Sequence, residues 1–173
     1  MFRYLPLLLL ACALAFLSLR GPAPANAVAV PDYVTTGGWF TEPPTMIVSP
    51  GQKVTFGGVL QCDAPLDQPN QLIVHYTGIL SNTPGDFKLE SLDTAGCTLN
   101  NPNDPNSGGQ FLGTGTGRCN GGPATALRIE FDDGGQGNGN DFARFTINGP
   151  QQGCAFAVFA TGLEGGQITL HAH

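Results

Sequence analysis

The chain has 173 residues, a formal charge of −6 and only 12% charged side chains. Seven Lys and Arg stand against thirteen Asp and Glu, so there is no basic patch that could neutralise phosphates. This composition argues against nucleic acid and against an anionic membrane surface as partners.

Residues 1–27 have the features of a targeting segment. Arg3 gives a charged start, Leu5–Leu19 is an apolar stretch, and Ala25–Ala27 forms an A-x-A site. This order predicts a secretory signal peptide that is cleaved after residue 27. The apolar stretch is shorter than the about 20 residues that a membrane-spanning helix needs. A lipoprotein signal with lipid on Cys12 is the alternative, although apolar rather than polar residues follow this cysteine.

Cleavage at this point leaves residues 28–173, with five basic and thirteen acidic residues and a formal charge of −8. A chain of this length suits one domain with a single hydrophobic core. We expect that domain to be secreted or held at the cell surface, with no membrane span of its own.

Short β-branched and aromatic segments, separated by Gly, Pro and Asn, run through the rest of the chain without a long helical period. About ten strands at this spacing predict an all-β fold, a single-domain antiparallel β-sandwich of the jelly-roll type. The predicted strands are Val34–Phe40, Thr45–Val48, Lys53–Gln61, Gln71–Thr77, Asp86–Leu92, Gln110–Gly117, Ala124–Asp132, Phe142–Asn148, Ala155–Thr161 and Gln167–Ala172.

The seventh and eighth of these strands can be aligned in register. Apolar and polar residues alternate in "ATALRIEF" and in "FARFTIN", so each strand has one apolar face. If the two apolar faces are aligned, Leu127 pairs with Ile147, and Glu130 lies across from Arg144 on the exposed face. A cross-strand ion pair of this kind is worth up to about 1 kcal/mol. The connection between the strands is then residues 132–142.

Four cysteines follow residue 27, and an even number in an exported chain predicts two disulfides. Three pairings can be drawn, and we favour the order without nesting or crossing, Cys62–Cys97 and Cys119–Cys154. Each bridge then closes a loop of about 35 residues and stabilises the fold by about 3–4 kcal/mol. No C-x-x-C pair is present, which argues against a zinc site.

The stretch "FDDGGQGNGNDF" has two interpretations. It is a candidate calcium loop, in which Asp132, Asp133, Asn138, Asn140 and Asp141 supply oxygen ligands. The interpretation that we favour is the turn of a β-hairpin, because Gly and Asn provide the positive φ angles that a turn needs. The calcium interpretation lacks the EF-hand spacing and the stacked copies of an RTX repeat.

Trp39, in "TTGGWF", is the single tryptophan of the chain. It is a candidate for stacking against a sugar ring, and the alternative is a plug at one end of the core. His75 and His171 are expected on strand surfaces.

The sequence has no G-x-S-x-G and no H-E-x-x-H motif, and disulfide formation would leave no thiolate nucleophile. We therefore expect a protein that is not an enzyme. A hydrolase that uses two carboxylates remains the alternative, because Asp and Glu are available in strands and loops.

The motifs "TGGWF", "KVTFGGVLQCD", "FKLESL…AGC", "GTGTG", "FDDGG…NDFARFTI" and "GGQITLHAH" occur in this order along the chain. In this order the chain resembles post-COAP-type domains, secreted bacterial β-rich domains at the ends of surface and exported proteins. The resemblance covers nearly the whole chain after residue 27 and implies fold and location, but no activity. It supports the bridge Cys62–Cys97, and it matches Asp133 and Asp141 to acidic positions of a long hairpin.

These observations predict a non-catalytic, exported structural or binding module, with a surface glycan or a protein as its candidate partner. Calcium at the loop 132–141 is the one candidate cofactor. A lectin-like carbohydrate binder that uses Trp39 is a variant of this prediction, and the small secreted hydrolase is the alternative from another class.

Overall fold

The computed structural model describes residues 28–41, 53–63, 69–77, 83–135 and 140–172. Within these ranges there is no helix, and nine strands form one antiparallel sheet. The predicted signal peptide, residues 1–27, and the predicted strand Thr45–Val48 lie outside the described residues. The strands are β1 Pro31–Thr41, β2 Lys53–Gln61, β3 Gln71–Tyr76, β4 Gly85–Leu99, β5 Gly109–Cys119, β6 Gly122–Asp133, β7 Phe142–Asn148, β8 Phe156–Gly162 and β9 Gly165–Ala172.

The strands β1 to β7 each pair with the next strand in the chain, β8 forms one edge of the sheet, and β9 crosses to the other edge to pair with β1. The all-β, antiparallel prediction is confirmed. The sandwich prediction expected two facing sheets, whereas the strands form a single sheet that is curled into a half-barrel. Strand twist and the bulges in β4 and β6 provide this curvature.

The curled sheet buries its inner face against itself. Phe56 of β2 stacks on Phe131 of β6, with ring centroids 5.6 Å apart, and meets Phe145 of β7 edge-on at 5.4 Å. These contacts join strands that are four or five positions apart in the sheet. One continuous core results, as it would in a sandwich.

Two details of the sheet differ from the sequence prediction. Strand β4 continues past Leu92 to Leu99, because β5 pairs with this segment through two irregularities in register. In β6 a bulge lies between Ala126 and Arg128, so that Ala126 and not Leu127 pairs with Ile147. The side chain of Leu127 is turned to solvent and is 54% exposed.

Both predicted disulfides are present. Cys62 is bonded to Cys97 and Cys119 to Cys154, with Cα–Cα distances of 5.1 and 5.8 Å. The first joins the end of β2 to β4, and the second joins the end of β5 to the segment before β8. Two disulfides are consistent with an extracellular protein.

The predicted pairing of Glu130 with Arg144 across β6 and β7 is confirmed. Glu130 is only 7% exposed, however, and the prediction of an open surface position is wrong. Its carboxylate accepts hydrogen bonds from Arg128 Nε at 2.6 Å and from Gln110 Nε2 at 3.2 Å, and Arg144 Nη1 lies 3.5 Å away. The hydrogen bond to Glu130 raises the pKa of the Arg128 guanidinium.

Candidate functional site

The hairpin between β6 and β7 holds two of the predicted calcium ligands against the free edge of β9. Asp141 is 8% exposed; its Oδ1 accepts the Gly134 N–H at 3.0 Å, and its Oδ2 accepts the Ile168 N–H at 2.7 Å. Asp133 repeats the arrangement, with Oδ1 on the Gly135 N–H at 2.8 Å and Oδ2 on the Leu170 N–H at 2.8 Å. All four carboxylate oxygens are therefore in use by the backbone.

The structure describes two of the three remaining predicted ligands of this loop. Asp132 accepts a hydrogen bond from Gln110 Nε2 at 2.9 Å, Asn140 is exposed, and Asn138 lies outside the described residues. A cavity of about 340 Å³ adjoins Asp133 and Asp141 along the edge of β9. The geometry gives these two aspartates a structural role, which is to occupy the backbone donors of an edge strand.

A second candidate site lies on the outer face of the sheet, where one cross-strand row runs from β9 to β4. The row consists of Gly165, Trp39, Thr55, His75 and Asp86, each directly opposite the next. The flanking residues of β2, β3 and β4 are buried in the core, which places the row on the outside.

Trp39 lies on this outer face and does not form part of the buried core. Its indole leans over β9, because a Cβ added to Gly165 would lie 2.5 Å from Trp39 Nε1. The Lys53 ammonium sits over the indole at 4.1 Å from the ring centroid. This position differs from the core plug that the sequence also suggested: the indole is partly buried on the outer face, packed against Gly165 and covered on one side by Lys53.

Two glycines form an open floor beside Trp39. Gly37 and Gly57 face each other across β1 and β2, in the outer-face position next to the row. A Cβ at Gly37 would meet nothing within 4 Å, and a Cβ at Gly57 would meet only the Thr36 carbonyl oxygen at 3.8 Å. Neither glycine has a positive φ angle, so neither packing nor backbone conformation requires glycine here.

A glycine inside a strand weakens the strand, and it often marks a place where a ligand approaches the backbone. Ile73 of β3 lies directly opposite Gly57, and its exposed side chain borders the two glycines on that side. We call the surface formed by Trp39, Thr55, His75, Gly37 and Gly57 the Trp39 face.

The imidazole of the Trp39 face is oriented by a neighbouring carboxylate. His75 Nδ1 is paired with Asp86 Oδ1, which leaves Nε2 of the imidazole on the outer side of that pair. Both residues line a shallow cavity of about 340 Å³ together with Lys53 and Thr55. Below them, burial and then the charge of Asp86 raise the pKa of the Tyr76 phenol, which donates a hydrogen bond to the Gly153 carbonyl.

A stacked pair lies toward the other end of the outer face of β1. The rings of Tyr33 and His171 stack with centroids 4.4 Å apart, and Thr35 Oγ1 lies 2.8 Å from His171 Nε2. The outer face of β1 therefore carries an aromatic ring on each side of Gly37. His171 is fixed by both neighbours.

The sequence predicted that Trp39 and His75 lie on strands, but it did not predict that they share one cross-strand row. The row depends on the register between β1 and β2 and on the register between β2 and β3, which the sequence does not encode locally. The "GG" repeated in "TTGGWF" and in "VTFGGV" was the available signal, because paired strand glycines with open surroundings point to an approached backbone.

The described ranges contain no group of three or more His, Cys, Asp or Glu side chains placed to hold a metal ion. In the same ranges no helix has both the length and the hydropathy that a membrane crossing requires. Comparison with protein-family models, with curated proteins and with solved structures found no match for this chain. The resemblance to post-COAP-type domains stays a prediction.

Proposed function

We propose that this protein is a non-catalytic, exported binding module that holds a carbohydrate on its Trp39 face. The observation that carries the proposal is the indole of Trp39 beside a glycine floor that the fold does not require. Export is supported by the two disulfides and by the sequence of residues 1–27.

The chemistry of this surface suits a sugar. Binding sites combine apolar and aromatic contact area with a small number of placed polar groups that fix orientation. Here the indole of Trp39 and the side chain of Ile73 supply the apolar area, and Thr55 and His75 place a hydroxyl and an imidazole in the same cross-strand row as Trp39. The flat glycine floor leaves room for a ring to lie against the sheet.

The test is a glycan array followed by calorimetry on residues 28–173 with disulfides intact. We expect Trp39→Ala to weaken binding by at least about tenfold, since buried aromatic anchors dominate such interfaces. The matched control is Leu127→Ala, which removes an exposed apolar side chain from β6. The proposal fails if no glycan binds, or if Trp39→Ala binds as the wild type does.

Two earlier hypotheses remain as predictions. A calcium ion at the loop 132–141 would have to share Asp133 and Asp141 with the backbone donors that these carboxylates already serve. A hydrolase would need two carboxylates free to exchange protons, and turnover of a glycan above that of a heat-denatured control would support it in place of simple binding.

A further inference from the structure

We propose that the carbohydrate is an acidic polysaccharide, whose uronate carboxylates pair with Lys53 and Lys88. This inference rests on the proposed function and deepens it, because it names the chemical class of the ligand on the Trp39 face. It comes from the distribution of ion pairs on an otherwise acidic protein.

Each arginine of the described ranges lies within 4.0 Å of a glutamate carboxylate. Arg118 Nε lies 2.8 Å from Glu90, while Arg128 and Arg144 share Glu130. The two lysines differ from them. In the described part of the chain, no carboxylate oxygen lies within 4.0 Å of the ammonium of Lys53 or of Lys88.

Both unpaired lysines border the Trp39 face. Lys53 lies over the indole of Trp39. Lys88 is directly opposite Ile73 on β4, with Arg118 as its own neighbour on β5. Residues 28–173 carry a formal charge of −8, so the gathering of the two unpaired lysines on one surface is complementary to an anion.

The carboxylates around this surface are already engaged. Asp86 is paired with His75, Glu90 with Arg118, and Glu164 Oε1 accepts the Thr41 N–H at 2.8 Å. Each of these carboxylates therefore already has a fixed hydrogen-bond or ion-pair partner, whereas neither lysine has an anionic one. A carboxylate of the ligand would therefore find two lysines without an ion-pair partner, whereas Asp86, Glu90 and Glu164 all have partners.

The position of Lys53 fits a sugar that carries its charge on the ring. An ammonium that rests on an indole is held by a cation–π contact of about 0.5–1 kcal/mol at an exposed site, which a stronger partner replaces easily. A uronate has its carboxylate on a ring carbon. When the sugar ring stacks on the indole, it displaces the Lys53 ammonium from this position. The displaced ammonium can then form an ion pair with the carboxylate of the same sugar.

The spacing of the two lysines calls for an oligomer. Lys53 and Lys88 lie two strands apart and four residues apart along the strands. With strands about 4.8 Å apart and about 3.4 Å per residue, their Cα atoms are roughly 17 Å apart in a flat sheet. One sugar ring cannot reach both, so affinity is expected to rise with chain length until both lysines are engaged.

The experiment compares oligogalacturonate with its fully methyl-esterified form, a neutral ligand with the same sugar rings. Calorimetry in EDTA, at low salt, uses oligomers of increasing length. We expect the free acid to bind at least about tenfold more tightly than the ester, and to lose this advantage in 1 M salt, where the screening length is about 3 Å. Lys53→Ala and Lys88→Ala should each weaken binding of the acid about threefold and leave the ester unaffected.

Arg128→Gln is the charge-matched control, because it removes one positive charge from β6 away from the Trp39 face. A sulfated glycan is the third ligand. Equal binding of the acid and the ester overturns this inference, and so does unchanged binding of the acid by both lysine variants. In either case the proposed function stands if Trp39→Ala still weakens binding. Lysine-dependent binding of the sulfated glycan alone overturns the choice of uronate. If neither oligogalacturonate nor its methyl ester binds, the inference of an acidic polysaccharide fails. The proposed function fails as well only if no glycan shows binding that Trp39→Ala weakens.

Discussion

The carboxylate of Asp141 accepts the backbone N–H of Ile168 at 2.7 Å, across 27 residues of sequence. Asp133 does the same for Leu170, two residues further along β9. Because N–H groups on one edge of a strand recur every second residue, the two aspartates take the place of a neighbouring strand. An edge with exposed donors invites pairing with other chains, and this hairpin occupies two of them.

Substitution of Asp141 should therefore destabilise the fold. Asp141→Ala removes the acceptor of the buried Ile168 N–H, and we expect a loss of about 1–3 kcal/mol from this unsatisfied group. Denaturant unfolding of residues 28–173 measures the change. Asp93→Asn, at an exposed position of β4, is the control and should stay within about 0.5 kcal/mol of the wild type. Equal stability of the two variants would contradict the role of Asp141.

Gly57→Val separates stability from binding. A Cβ at this position meets only one atom within 4 Å, and Val is a better strand residue than Gly, so we expect stability to be unchanged or raised by up to about 1 kcal/mol. The same side chain fills the floor beside Trp39 and should abolish glycan binding. The measurements are thermal unfolding and calorimetry with the best ligand of the wild type.

Gly96→Val is the matched control, since Gly96 is another strand glycine with room for a Cβ, which would meet nothing within 4 Å, and it lies on β4 outside the Trp39 face. It should bind glycan as the wild type does. If Gly57→Val binds normally, the glycine floor is not the ligand site.

The stability of the fold should fall at high pH because of Tyr76. Burial raises the pKa of this phenol above its ordinary value of 10.0, so the folded state keeps the proton that the unfolded state loses. The contribution is fully present below pH 10.0 and is lost as the pH rises above it, toward the folded-state pKa. Unfolding in denaturant at pH 8 to 11 tests this.

Tyr76→Phe should decline less steeply over the same pH range, although it starts from a lower stability because it lacks the hydrogen bond to the Gly153 carbonyl. Parallel curves for the two proteins would show that another group is responsible.

Calcium is tested by thermal unfolding in EDTA and in millimolar calcium. The oxygens of Asp133 and Asp141 already accept backbone N–H groups, so we expect the same midpoint in both. A bound ion at a hundred times its dissociation constant would add about 2.7 kcal/mol, a shift of several degrees. Such a shift in the wild type, absent from Asp133→Asn/Asp141→Asn, would establish the calcium site.

Part of this structure could be predicted from the local pattern of apolar and polar residues. Alternation of apolar and polar residues predicted the pairing of Glu130 with Arg144, because a register slip of one residue would turn Ile129 and Phe131 out of the core. The same alternation failed at Leu127, since a bulge inserts a residue without any local signal.

The rest depended on contacts between distant segments. The partners of Asp133 and Asp141 are backbone groups of β9, which have no side-chain signature in the sequence. Trp39 meets Thr55 and Gly165 only through the registers of β1 with β2 and β9. The turn-like composition of residues 132–141 suggested metal ligands, whereas two of its carboxylates serve the edge of a strand.

The most direct test of the central claim uses Trp39 as its own reporter. It is the only tryptophan of the chain, so the intrinsic fluorescence excited at the indole band comes from the Trp39 face alone. Titration with a glycan that the array identifies should shift or quench this emission in a saturable manner, with the same dissociation constant as calorimetry gives. Binding by calorimetry without any change in emission would place the ligand elsewhere and contradict the account.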